Sequence, residues 1–140
     1  NHWVLNGEKM WISTGDHAGV FVVWARTADR QTAPGTRGIS CFLVEPGTPG
    51  FSVGKHEEKM GLRGSTTVSL SFEDCRIPAS ALLGEENRGF RIAMMALDGG
   101  RLGIASQAIG IASAALEETV AYVKQRKQFD RPIADFQAIQ

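Results

Sequence analysis

Trp11 and Ser13 stand two positions apart in Asn6-Gly7-Glu8-Lys9-Met10-Trp11-Ile12-Ser13, after an Asn-Gly turn signal and ahead of strand-like sequence. Side chains alternate along an extended chain, so a strand through this stretch projects Trp11 and Ser13 from one face. The indole offers an apolar plane and the hydroxyl a short donor and acceptor. That pairing suits a planar heteroaromatic ligand needing one hydrogen bond at its edge. A half-buried edge strand with a core Trp explains the same two residues, and their types alone leave both readings open. Further along, Asp98 and Arg101 are spaced i, i+3 in a helical pattern and share a face, which by itself makes no more than a surface ion pair.

Other chemistries find little support. His2, His17 and His56 stand at metal-ligand spacing neither from one another nor from a cysteine, so no metal site is expected. Cys41 and Cys75 are isolated within strand-like sequence. Buried thiols in a reducing cytosol or organelle matrix fit them better than a disulfide framework. Lys and Arg total 15, as do Asp and Glu, so no net field favours nucleic acid or an anionic membrane. The apolar runs are too short to insert into a membrane, and no signal-peptide pattern opens the chain. A hydrophobic content of 43% in 140 residues supports one packed domain, or one plus part of another. The chain starts inside a strand-turn pattern and stops inside a helical one, as expected for a piece of a longer protein.

The elements that must hold these residues change character along the chain. Val20-Phe21-Val22-Val23-Trp24-Ala25-Arg26, Ile39-Ser40-Cys41-Phe42-Leu43-Val44 and Phe51-Ser52-Val53 read as strands, with a loop over 27–37 containing Pro34-Gly35. Val68-Ser69-Leu70-Ser71-Phe72 alternates strictly, as a half-buried antiparallel strand does. Beyond Pro78 the period turns helical. Leu97, Ile104, Ala108, Ile111, Ala115 and Tyr122 fall on one face of a long helix, and a second series, Gly99, Gly103, Gly110 and Ala114, is small. Glycine costs a helix roughly 1 kcal/mol against alanine, so that series calls for close approach by another helix or a ligand. A further helix is expected from 134 to 140, with Pro132 near its start. The fold class is therefore α+β: a small antiparallel β-sandwich or barrel over 1–78, then long helices of an incomplete helical bundle over 79–140.

Four segments in this order resemble the flavin-dependent acyl-CoA dehydrogenases. They are 6–13 as quoted above, Lys59-Met60-Gly61-Leu62-Arg63-Gly64-Ser65, Phe72-Glu73-Asp74-Cys75-Arg76-Ile77-Pro78, and Leu97-Asp98-Gly99-Gly100-Arg101 through Ser106 with Arg126-Lys127-Gln128-Phe129. The resemblance covers the family's middle β-domain and the opening of its C-terminal helical domain. Leu97-Asp98-Gly99-Gly100-Arg101 points to the short-chain type.

The resemblance implies an FAD-dependent enzyme of fatty acid β-oxidation that desaturates an acyl-CoA thioester between Cα and Cβ and passes electrons to an electron-transferring flavoprotein. It implies a homo-oligomer, dimer or tetramer, in a bacterial cytoplasm or mitochondrial matrix. An acyl-CoA oxidase, or a non-catalytic relative binding FAD or acyl-CoA in an assembly, would share the same motifs. Trp11, Ile12 and Ser13 match the segment that flanks the flavin and reaches its N5, with Thr14 where many members carry Asn. Arg126, Gln128 and Phe129 match the grip on the FAD pyrophosphate and adenosine, usually of a neighbouring subunit, and Phe136 and Gln137 match a further flavin-contacting pair. Asp130 replaces the usual glycine after the Phe, which calls for it to point away or pair with Arg131. Asp98 and Arg101 match positions beside the pantetheine and phosphate of the substrate, where Gly99 and Gly100 let a thin chain approach. Thr36 and Arg37 match a loop near the CoA phosphates. The catalytic base is expected outside these residues, since Gly100 stands where some members carry it.

Overall fold

Val68, Leu70 and Phe72 alternate with Ser69 and Ser71, which gives a strand one apolar face. In the computed structural model, which describes residues 1–140, this stretch lies in β5 (Thr67–Pro78) with all three apolar residues buried. β5 is the middle strand of an antiparallel sheet, with β1 (His2–Ser13) on one side and β4 (Phe51–His56) on the other. The β-branched and aromatic runs form a second antiparallel pair, β2 (Phe21–Arg26) with β3 (Ile39–Val44).

The two sheets enclose one core. Leu5, Val68, Leu70, Phe72, Cys75 and Ile77 from the first meet Phe21, Val23, Phe42 and Val44 from the second. Phe51 stacks on Phe72 at 4.9 Å and meets Phe21 edge-on at 4.8 Å, while Trp3 meets Phe42 edge-on at 5.3 Å. Cys41 and Cys75 are fully buried free thiols whose pKa values burial pushes up, so they pack as small apolar groups.

β5 ends at Pro78, and a 3-10 turn, Ala79–Ala81, leads back to β3, where the Leu83 amide donates to the Cys41 carbonyl at 2.8 Å. Helix α1 (Gly89–Gln125) then starts hard against β3. A Cβ on Gly89 would lie 2.4 Å from the Ser40 carbonyl carbon, so only glycine fits there. Buried Ser40 accepts from the Asn87 amide at 2.7 Å, and Thr27 donates to the Asn87 side-chain oxygen at 2.9 Å. Ser40 in turn donates to Thr27 at 2.6 Å, closing the ring. The Trp24 indole nitrogen donates to the Gly89 carbonyl at 2.8 Å.

The chain divides into two compact units, Asn1–Met94 and Met95–Gln140. The second unit holds most of α1 and a hairpin of β6 (Lys127–Gln128) and β7 (Arg131–Pro132). Gly89 is the only buried residue of α1. The face of Leu97, Ile104, Ile111 and Tyr122 therefore exists but is exposed, and Gly99, Gly100, Gly103 and Gly110 have nothing within 4 Å. Where a further helix is expected to begin, at 134–140, the chain forms a 3-10 turn, Ile133–Asp135, and then a turn in which the Ile139 amide donates to the Phe136 carbonyl at 2.8 Å. No helix is long and apolar enough to cross a membrane. The fold is α+β, an antiparallel β-sandwich followed by one long helix.

Candidate functional site

The end of β1 is where the structure departs from a regular strand. Lys9 pairs with Leu70 and Ile12 with Val68, so Met10 and Trp11 together oppose the single residue Ser69. β4 bulges at the same place, with Gly54 and Lys55 between the pairs Val53–Leu70 and His56–Val68. A Cβ on Gly54 would lie 2.2 Å from the Ser69 hydroxyl, which accounts for the glycine. The uninterrupted strand expected through Trp11 and Ser13 is thus corrected. Trp11 has φ 57°, a left-handed conformation costly for a bulky side chain. It stays 71% exposed, and Ser13 is exposed as well, while Ile12 turns in against the core and leaves mainly its backbone for contact. A cavity of about 320 Å³ opens beside Ile12 and Ser13, lined also by Ala18, Val20 and Val22 among others, but not by Trp11.

Thr14 also has a positive φ, 54°, and its hydroxyl donates back to the Ser13 carbonyl at 2.7 Å. The turn that follows is anchored by Asp16. Thr66 donates to its carboxylate, His56 Nε2 lies 2.9 Å away and His17 Nε2 3.3 Å. The Thr66 hydrogen bond, with the two imidazoles adding attraction, holds the Asp16 carboxyl below its ordinary pKa although burial opposes this. Sequence reading missed this anchor. Asp16 and His56 belong to different strand ends, and only the bulged pairing of β1 and β4 on β5 unites them.

Thr36 and Arg37 lie exposed in the β2–β3 loop, with no side-chain hydrogen bond to the rest of the chain. Arg26, at the end of β2, donates through Nη1 to the Ala33 carbonyl at 3.1 Å and through Nη2 to the Gly35 carbonyl.

In the second unit Asp98 and Arg101 pair at 2.9 Å, both largely exposed. Gly99 and Gly100 leave the helix surface between them open. The hairpin gathers the second group of motif residues. Gln128 pairs with Arg131 in the ladder, and Phe129 and Asp130 form the two-residue turn with φ 52° and 62°, the type I′ pattern. Phe129 is 86% exposed and meets Phe136 edge-on at 6.2 Å. The Arg131 guanidinium lies 4.1 Å over the Phe136 ring, so it stacks there and forms no ion pair with Asp130. Arg126 caps the end of α1, its amide bonded to the Tyr122 carbonyl at 2.9 Å and its carbonyl to the Ile133 amide at 2.8 Å; Gln137 is exposed. Along the helix, Arg101 and Arg126 are separated by about 37 Å at 1.5 Å per residue. Two groups are therefore each drawn together, Trp11–Ser13 in the first unit and Arg126–Gln137 in the second, with Asp98 and Arg101 a separate pair.

Four of the seven non-glycine residues with positive φ, namely Trp11, Thr14, Phe129 and Asp130, fall in or beside the two groups around Trp11–Ser13 and Arg126–Gln137. Backbone strain of this kind persists where surrounding structure enforces it and concentrates at ligand sites. Within the first unit an exposed indole plane beside a free hydroxyl suits an aromatic ring; within the second, exposed Phe129 on the hairpin tip with Arg126 at its base suits a phosphate-bearing group.

Comparison with known proteins gives the family. Residues 1–75 match the acyl-CoA dehydrogenase middle domain, and residues 87–140 match the acyl-CoA dehydrogenase C-terminal domain. The chain is 55% identical over 140 residues to an acryloyl-CoA reductase (NADH) of Anaerotignum propionicum, covering 100% of this chain and 35% of that protein. It superposes on butyryl-CoA dehydrogenase from Megasphaera elsdenii with a TM-score of 0.89 at 50% identity, covering 99% of this chain and 35% of that one. A chain from the structure reported for the electron transferring flavoprotein of Acidaminococcus fermentans matches with a TM-score of 0.89 and 50% identity, over 99% of this chain and 36% of that one. The sequence thus spans about a third of the length of the relatives it matches. With both domain matches in chain order and half or more of the residues identical to such relatives, this chain belongs to the acyl-CoA dehydrogenase family.

Proposed function

We propose that the whole protein is an FAD-dependent acyl-CoA dehydrogenase that desaturates short acyl-CoA thioesters between Cα and Cβ, and that these residues are its middle β-domain (1–78) and the start of its C-terminal helical domain (79–140). The observation that carries this reading is Trp11, held 71% exposed by a bulge at φ 57° beside the free hydroxyl of Ser13. FAD, when bound, supplies the two-electron acceptor for the hydrogen lost from the β-carbon. Trp11 provides a flat apolar wall for the ring system and Ser13 a donor at its edge, where charge develops on reduction. Arg126, Gln128 and Phe129, with Phe136 and Gln137, serve the pyrophosphate and adenosine. The guanidinium suits the phosphates through its forked donors.

Asp98 and Arg101 orient one another through their 2.9 Å pair and face the pantetheine chain, which the bare surface at Gly99 and Gly100 admits. Thr36 and Arg37 meet the CoA phosphates. Removal of the α-proton needs a positioned carboxylate. Gly100 offers none, and Glu117 and Glu118 are exposed several turns along the helix, so the base comes from another part of the protein. Because some 37 Å of helix separates Arg101 from Arg126, Arg126 serves a cofactor held mainly by a second copy, which makes the enzyme a homo-oligomer, dimer or tetramer. Electrons pass to an electron-transferring flavoprotein, in a bacterial cytoplasm or mitochondrial matrix.

The test is the purified whole protein with butyryl-CoA and a one-electron acceptor. Bound FAD and formation of crotonyl-CoA are the expected results; a protein that retains no flavin, or that leaves butyryl-CoA unchanged, overturns the reading. The 55% identity to an acryloyl-CoA reductase (NADH) favours a second reading in which the same site runs toward the saturated thioester. Consumption of NADH with acryloyl-CoA in the presence of an electron-transferring flavoprotein, faster than butyryl-CoA oxidation, selects that direction.

A further inference from the structure

The β2–β3 loop, residues 27–38, is built from three fixed points. At its base the Thr27 amide donates to the Gly38 carbonyl at 2.9 Å. In its first half Asp29 organises a turn, its carboxylate accepting from the Gln31 amide at 2.6 Å and its carbonyl from the Ala33 amide at 2.8 Å. The third point is Arg26, whose two terminal nitrogens hold the carbonyls of Ala33 and Gly35 at once. Gly38 makes room for that guanidinium, since a Cβ there would lie 2.5 Å from Arg26 Nη1. The Gly35 carbonyl is the last backbone group pinned before Thr36 and Arg37, and no other side chain holds the segment between it and the base.

We infer that Arg26 is a positioning residue for the phosphate end of a CoA thioester. It makes no contact with the ligand but locks the loop so that Thr36 and Arg37 are presented in one conformation. This rests on the reading above that Thr36 and Arg37 meet the CoA phosphates. Both forks of a planar guanidinium are needed to hold two carbonyls together, and a single ammonium has no equivalent geometry. Losing the fork frees the loop, and the ordering cost then falls on ligand binding.

The experiment uses the whole FAD-loaded protein with butyryl-CoA and with S-butyrylpantetheine, which carries the same reacting group and no phosphate. Arg26→Ala is expected to raise KM for butyryl-CoA by about three- to tenfold, to move kcat by less than about twofold, and to leave KM for S-butyrylpantetheine unchanged. Arg26→Lys keeps the charge without the fork and is expected to raise the butyryl-CoA KM as well; full recovery of wild-type KM by lysine overturns the inference in favour of simple charge attraction. An equal rise for both thioesters overturns it too, as a general structural loss. If Arg26→Ala does not retain FAD, Arg26→Lys decides alone. Arg37→Ala separates the inference from the reading beneath it. No change in the butyryl-CoA KM with Arg37→Ala removes that reading, whereas a rise with Arg37→Ala but none with either Arg26 variant removes the role of Arg26 only.

Discussion

The β-sandwich and the long helix contain similar apolar side chains but use them in opposite ways. In the first unit Phe42, Val44, Val68 and Cys75 are fully enclosed, and no buried side-chain polar atom lacks a partner. In α1, Leu102, Ile104, Ile109 and Ile111 are each well over half exposed, and the small residues beside them touch nothing. Continuous apolar exposure of this kind marks an interaction surface, not a solvated one. The β unit thus carries the information for its own order, and its strained site residues, Trp11 and Thr14, sit on a scaffold able to hold them. The helix has the right local propensity but buries almost none of its apolar side chains within residues 1–140.

That contrast is broken or sharpened first by core truncation. Phe42→Ala removes a ring that is fully buried and edge-on to Trp3, and should lower stability by about 3–5 kcal/mol. Ile109→Ala, 68% exposed, should cost under about 0.5 kcal/mol in this 140-residue chain. Urea denaturation of both variants checks the pair, and equal losses would refute the proposed difference between the units. Gly89→Ala comes next. Its Cβ would lie 2.4 Å from β3 backbone, so the start of α1 must shift, at about 1–3 kcal/mol. The displaced Trp24–Gly89 bond should show in the indole fluorescence, and unaltered stability with unaltered emission would mean the junction is looser than drawn.

Smaller effects test the strained motifs. Ser13→Ala should leave unfolding nearly unchanged, because the side chain is exposed, yet remove a flavin hydrogen bond worth about 0.5–1.5 kcal/mol net. An unchanged flavin potential in the whole enzyme would sink the assignment. Asp130 occupies the second left-handed position of the hairpin turn, φ 62°, where glycine carries no steric penalty. Asp130→Gly should relieve roughly 1 kcal/mol of local strain. Slower exchange of the Ile133 amide, which donates to Arg126, is the measurement; faster exchange would show that Asp130 contributes something beyond the turn.

What the sequence made legible follows the range of the forces involved. Alternation in 68–72 and the Pro78 changeover are local, and both appear where expected. Cys41 and Cys75 were readable as buried free thiols because they sit in strands. The double bulge opposite Ser69 was not readable, because it depends on three strands agreeing on a register, and neither was the Thr27–Ser40–Asn87 ring, whose members come from a loop, a strand and a helix start. The missed helix over 134–140 and the Arg131–Phe136 stack have a related cause. Local pattern suggested a helix beginning at 134, and charge left Asp130 either pointing away or pairing with Arg131, but the chain after the hairpin brings Phe136 under the Arg131 guanidinium. The roles proposed for the site residues rest on motif resemblance, while their strain and exposure had to be seen in three dimensions.

The smallest expected effect is a pH response of the anchor behind the turn that follows Ser13. Asp16 has its pKa lowered in the folded state, first by the Thr66 hydrogen bond and then by its own backbone and the His17 and His56 imidazoles, against the opposing pull of burial. The unfolded chain returns it to the ordinary carboxylate value near 3.9. Between the folded and unfolded values the unfolded state binds more protons, so stability rises with pH through that window. The contribution is complete above the unfolded value and disappears as pH falls through the folded one. Thr66→Val removes the largest cause, and should move the folded pKa of Asp16 upward and narrow the window. Asp16→Asn removes the titration and should flatten acid unfolding below about pH 4. Tertiary-structure signals followed by acid titration of the two variants decide the matter. An acid transition identical to that of the parent in both would mean that the Asp16 anchor is a geometric coincidence with no energetic part in holding Ser13 and Thr14 in place.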